Sequence, residues 1–175
     1  LPAHVCMIEY IMHDGESKER EIVVLLHNIR SGHNVGSMFR TADAVGVSRI
    51  YCSGYTPLPV DQFNRPRKEI VKTALGAEET VPWTAVKNIS MHIARLKKQG
   101  YTIVGLEQDK RAIDYRAVPQ KGKMVLLVGN EVRGISPQLR NKCDILMEIP
   151  MCGKKESLNV SVATGIALYV LQVGK

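Results

Sequence analysis

An α/β fold built on a largely parallel sheet is what this sequence predicts, and three features predict it. Short β-branched or apolar runs, above all Glu21 to Asn28 and Lys123 to Gly129, read as buried strands. They alternate with segments whose apolar residues recur at helical spacing. Glycine and polar residues punctuate the junctions. At 175 residues, the chain has room for one such domain with its own core.

Residues 1–20 stand apart. Val5 to Met12 has a helical pattern and Asp14 to Glu21 is a charged connector, so the chain divides into an N-terminal helical and connector segment, 1–20, and a domain, 21–175. After the first strand comes a loop, Ile29 to His33, then a helix from Asn34 with Val35, Met38, Phe39, Ala42 and Val45 on its apolar face. Gly46 stands where that helix stops. Arg49 to Gly54 reads as a second strand, and Tyr55 to Arg67, with three prolines, as a loop. Val86 to Gln99 is amphipathic, with Val86, Ile89, Ile93 and Leu96 on one face, and Gly100 ends it. Tyr101 to Leu106 and Lys123 to Gly129 are strands, Pro137 to Cys143 a short helix, and Asp144 to Ile149 another strand. The last helix, Leu158 to Val173, is apolar nearly all round, interrupted by Asn159, Ser161 and Thr164. Such a helix must be covered on more than one face, which in so small a domain points to a subunit interface.

Composition narrows the partners. A formal charge of +7 favours a polyanion. No apolar run approaches the ~20 residues of a membrane span. The start, Leu1-Pro2-Ala3-His4, lacks a basic region followed by an apolar stretch, so no secretory leader is expected. Cys6, Cys52, Cys143 and Cys152 form no C-x-x-C pair and read as reduced thiols of a cytoplasmic protein. The histidines show no ligand spacing, so no metal site is expected.

Three clusters exceed what propensity requires. The first runs from Asn28 through Asn34 and Gly36 to Arg40, where a strand ends in a polar turn at a helix start, a common place for ligands in α/β proteins. Asn34 as a helix cap and Gly36 as a packing contact would also explain it, but Arg40 has no packing reason to be there, and its planar fork suits a phosphate or carboxylate. The second is Gly129-Asn130-Glu131-Val132-Arg133-Gly134, directly after the buried strand. It is either an ordinary turn, with Glu131 paired to Arg133 or solvent, or a nucleotide crevice; it is not a dinucleotide fingerprint or a Walker A motif. The third runs from Ile149 to Asn159, with Lys154, Lys155 and then Ser157 at a helix start, and reads as a capped helix or as a ligand loop.

Taken in order, these clusters carry N-x-G-x-x-x-R-x-A-x-A-x-G (Asn34, Gly36, Arg40, Ala42, Ala44, Gly46), G-x-E-x-x-G (Gly129, Glu131, Gly134), and I-P-M followed by S-L-N-V-S-V-A (Ile149 to Met151, Ser157 to Ala163). That ordered triple closely resembles the SpoU or TrmH branch of the SPOUT methyltransferases over roughly Glu21 to Leu171.

The resemblance implies a SPOUT-type, Rossmann-like, mostly parallel sheet whose C-terminal segment is threaded into a trefoil knot, against the general rarity of knots. It implies a homodimer with the active site completed across the interface. S-adenosylmethionine would lie against Gly129, Ile149, Met151 and Leu158, and the methyl acceptor would be a ribose 2′-hydroxyl, which only RNA offers. Arg40 matches the catalytic arginine; since a guanidinium resists deprotonation, orientation and electrostatic stabilisation are its expected role. Asn34 and Glu131 are expected to hold Arg40 and the motif loops, and Ser157 and Asn159 to position cofactor or ribose. Arg30, Arg65, Arg67, Lys68, Lys154 and Lys155 are candidate phosphate contacts. With few aromatics, no broad stacking platform is expected. Transfer RNA is favoured slightly over ribosomal RNA. Two other readings stand beside this: a catalytically inactive RNA-binding protein of the same fold, and an unrelated nucleotide-binding α/β protein without a phosphate loop.

Overall fold

The computed structural model describes residues 20–173, in which strands and helices alternate. β1 (Glu21–His27) leads through α1 (Gly32–Val45) to β2 (Arg49–Ser53), then through α2 (Lys68–Ala74) and α3 (Ala77–Thr80) to β3 (Trp83–Val86). After α4 (Ile89–Lys98) follow β4 (Thr102–Leu106), the short β5 (Ile113–Asp114), β6 (Lys123–Val128), α5 (Pro137–Arg140), β7 (Ile145–Glu148) and α6 (Val160–Val173). The helix and connector expected over 1–20 lie outside the described residues, save Arg20, whose guanidinium donates to the Gln172 carbonyl at 2.8 Å.

The seven strands lie in the order β3-β2-β1-β6-β4-β7-β5, and every pairing is parallel. The chain first steps outward from β1 to β3. It then returns to β4, leaving a place beside β1 that β6 fills later. Right-handed crossovers in opposite directions put their helices on opposite faces. Accordingly Ile22, Val24 and Leu26 of β1 pack with α1 and α6 residues such as Phe39 and Leu168, while Val23 and Leu25 pack with Ile93 and Leu96 of α4. Both faces of β1 and β6 are covered, which is why their sequences run apolar without alternation.

Several boundaries differ from the sequence expectation. Helix α1 starts at Gly32 because Ser31, not Asn34, is its cap, accepting the Asn34 N–H at 3.3 Å. Gly36 is a packing contact: a Cβ there would lie 2.4 Å from the Ile70 carbonyl oxygen of α2. Val86 ends an unexpected strand, and Asn88 caps α4 through the Met91 N–H at 3.0 Å. Helix α6 starts two residues later than expected: Asn159 precedes it, taking the Ala163 N–H on its carbonyl and the Ser161 N–H on its side chain. No described helix is long and apolar enough to cross a membrane.

Candidate active site

The site grows from the carboxyl ends of β1, β6 and β4, where the strand order reverses and α/β folds leave a crevice. Glu131, just beyond β6, reaches over to the loop after β1. Its carboxylate accepts the Arg30 N–H at 2.9 Å, the Ser31 N–H at 3.1 Å and the Asn34 side-chain amide at 3.1 Å. Burial alone would raise this carboxyl. Donation from Arg30, from its own backbone, from Ser31 and from Asn34 outweighs that and holds it below the usual value. Glu131 thus binds the preceding loop rather than Arg133.

The turn that presents Glu131 is tight. Asn130 and Gly134 exchange two backbone hydrogen bonds, and a Cβ on Gly129 would lie 2.5 Å from the Gly134 carbonyl carbon, so glycine is required there. The nearly buried Asn130 donates to the Asn28 carbonyl at 2.9 Å and the Tyr55 hydroxyl at 3.0 Å, and accepts the Val132 and Arg133 N–H groups. From the third segment, Asn159 donates its side-chain amide to Asn34 Oδ1 at 3.2 Å. Asn34 therefore joins all three motif segments.

Between β4, β6 and the segment after β7 lies a cleft of about 250 Å³. Leu106, Val128, Ile149, Met151, Leu158 and Ala163 form its apolar walls, Gly129 and Ser157 also line it, and Glu107, Glu131 and Glu148 supply carboxylates. Among the described residues no lysine or arginine lines it. That chemistry suits a ligand with an apolar or aromatic body and positive charge, and disfavours a phosphate chain. Glu107, Gln108, Glu148 and Asn130 were not singled out from sequence. The available signal was the end of a strand at the sheet's reversal, legible only once the strand order is known.

The remaining candidates are dispersed. Arg40 is exposed on α1 and does not line the cleft, and no bond joins it to Asn34 or Glu131 among the described residues. Arg30 is exposed beside the Glu131 junction. Arg65 is paired to Asp61 at 2.7 Å, Arg67 is half-buried at the start of α2, and Lys68 follows it. Lys154 and Lys155 are exposed on the loop bearing Met151 and Ser157. Between α1 and α6 lies an open apolar groove holding Val162 and Tyr169, each 51% exposed. Among the described residues no three His, Cys, Asp or Glu side chains are grouped to hold a metal.

A profile of the SpoU rRNA methylase family matches residues 21–169. The 23S rRNA (guanosine-2′-O-)-methyltransferase RlmB of Xanthomonas axonopodis pv. citri is 36% identical over 150 residues, covering 86% of this chain and 57% of the relative. The chain spans less than two thirds of the length of the first curated relatives it matches. An AdoMet-bound rRNA methyltransferase of Sinorhizobium meliloti superposes with a TM-score of 0.80 at 31% identity, covering 90% of this chain and 58% of that one. The TrmH/SpoU tRNA modifying enzyme of A. aeolicus superposes with a TM-score of 0.77 at 33% identity, covering 91% and 77%.

Proposed function

This chain belongs to the SpoU rRNA methylase family, and we propose on that footing that it transfers a methyl group from S-adenosylmethionine to a ribose 2′-hydroxyl of RNA. The hydrogen-bonded chain Glu131–Asn34–Asn159 carries this reading, because it gathers the three motif segments around one cleft.

The cleft's residues fit the cofactor: apolar walls for its adenine and methylene carbons, and carboxylates with no cationic lining side chain among the described residues to oppose its sulfonium. When bound, S-adenosylmethionine supplies a methyl carbon already activated for displacement. The protein's part is to hold the ribose hydroxyl in line and stabilise charge as its proton departs. Gly129, Ile149, Met151 and Leu158 would form the cofactor's seat, and Ser157 and Asn159 would position the cofactor or the reacting ribose. Asn34 and Glu131 fix these segments relative to one another. Arg40 orients the acceptor and its phosphate electrostatically.

Within one chain Arg40 lies outside the cleft. A homodimer formed through the exposed α1–α6 groove supplies it from the second copy, and the two half-exposed apolar residues there support that assembly. A trefoil knot is part of the same reading. Its support is that residues after β7 line the same cleft as the Gly129–Gly134 turn before α6 packs on α1. Residues 21–175 then constitute the methyltransferase domain. Transfer RNA is preferred slightly over ribosomal RNA as substrate, and both would be met in the cytoplasm.

The deciding experiment supplies methyl-labelled S-adenosylmethionine with separate pools of unmodified transfer and ribosomal RNA, followed by digestion to nucleosides. Label in a 2′-O-methyl nucleoside establishes the reaction, and the labelled pool names the substrate. Label on a base overturns the acceptor. Cofactor binding without label in either pool favours the inactive RNA-binding alternative.

A further inference from the structure

Beside the cleft, and sharing Asn130 and Val132 with it, is a second depression of about 600 Å³ lined by Arg30, Tyr55, Asn130, Val132 and Arg133. We infer that this depression is a nucleotide subsite, in which Tyr55 stacks on one unpaired base of the RNA while Arg30 and Arg133 take the flanking phosphates. The inference rests on RNA being the substrate and names where a nucleotide near the reacting one is held.

Three observations carry it. The first concerns charge. Arg65, Arg111, Arg116 and Arg140 are each paired to an aspartate. Arg30 and Arg133 have no ion-pair partner among the described residues, although Glu131 lies between their loops. Its oxygens are occupied by the Arg30 and Ser31 N–H groups and the Asn34 amide, which leaves both guanidiniums free for an incoming anion. The second concerns the ring. Tyr55 is 58% exposed, yet its hydroxyl accepts from Asn130 and its N–H donates to Asn28 Oδ1. An exposed aromatic anchored at its polar end is arranged in advance for stacking rather than left to rotate. The third is the support beneath. Asn28 holds a left-handed conformation (φ 58) and Asn130 bonds in four directions, so β1, β2 and β6 end in one braced surface.

Anisotropy titrations of a labelled ten-nucleotide oligoadenylate, and of the same strand with its bases removed, over a series of salt concentrations test this. Tyr55→Leu should weaken binding of the intact strand about ten-fold and leave the abasic strand unchanged, whereas Tyr55→Phe, which keeps the ring and loses only its hydroxyl anchor, should weaken it about two-fold. Arg30→Gln and Arg133→Gln should each reduce the slope of log affinity against log salt by about 0.7. Equal affinities for Tyr55→Leu and Tyr55→Phe, with unaltered salt slopes, overturn the subsite. Methyl transfer by the same wild-type preparation is scored separately. Its presence with unaltered titrations removes the subsite alone, and its absence from both RNA pools removes the reaction whatever the titrations show.

Discussion

Asn34 accepts a hydrogen bond from Asn159 at 3.2 Å while donating one to Glu131 at 3.1 Å, so residues 125 and 97 positions away meet on one side chain. A side-chain amide has an acceptor and donors at opposite corners, and both ends are engaged here. Asn34→Ala leaves the Asn159 amide without its acceptor and removes one of the groups that donate to Glu131. We expect a loss of about 1–3 kcal/mol in urea unfolding and, through displacement of the cleft walls, roughly 100-fold slower methyl transfer. Asn34→Asp should be worse, because it sets a second carboxylate against Glu131. A wild-type rate in Asn34→Ala would remove this residue from the site.

How far the sequence foretold this arrangement depends on what each residue reports. Leu25 and Val125 are buried on the α4 face and their neighbours Leu26 and Leu126 on the α1–α6 face, so their strands appear as unbroken apolar runs. β3 is an edge strand with Thr84 and Ala85 exposed; backbone pairing with β2 forms it, and no apolar signal marks it. Helix α2 was concealed by its shortness, directly after a proline-rich loop. Glu107 could not be placed in the cleft, since no strand's own residues tell which strand ends will neighbour it. Asn159 was legible because a polar residue opening an apolar helix needs a partner; Glu131 and Asn34 were given the holding of the motif loops only by the resemblance, and neither residue by itself reports the bond that joins them.

Glu131 should make stability fall on the acid side. Its folded carboxyl titrates below the ordinary value of 4.5, so the carboxylate stabilises the fold above that value, and the contribution is lost as pH falls through the lower, folded value. Glu131→Gln cannot accept from three donors as a carboxylate does. Chemical denaturation between pH 3 and 7 should show a smaller loss toward acid for the variant, with lower stability than wild type at pH 7. Parallel profiles would exclude Glu131 as the titrating group.

His27 should add a second dependence nearer neutrality. The Asn28 side-chain amide donates to its Nε2 at 3.0 Å, so Nδ1 carries the proton toward Ser53 Oγ at 2.9 Å and the ring is neutral. Protonation would set an N–H against the Asn28 amide, and burial lowers the titration below 6.5. His92 is likewise lowered, by burial first and then by Arg95. Below 6.5 the unfolded chain binds protons that the folded one refuses. Stability is therefore full above that value, and falls as pH drops toward the folded values. Thermal melts from pH 7.5 to 5.5 should show a declining Tm, flattened in the double variant His27→Gln, His92→Gln.

Arg40 supplies the sharpest test of assembly. It is exposed, so Arg40→Ala should change Tm by no more than about 2 °C while slowing methyl transfer at least 100-fold and leaving cofactor affinity intact. Leu158→Arg, in the cleft wall, should instead abolish cofactor binding. Each variant is inactive by itself. If Arg40 acts on the partner's cleft, subunits of the two variants mixed and re-equilibrated form heterodimers in which one site has an intact cleft and an intact arginine. About a quarter of the wild-type activity should return, since half the dimers are mixed and each holds one working site of two. If Arg40 acted within its own chain, every site would still lack one component and mixing would restore nothing. Adding Tyr169→Glu to both variants places a charge in the α1–α6 groove. It should abolish the recovery and give a monomer in sedimentation velocity, whereas recovery without the groove would locate the interface elsewhere.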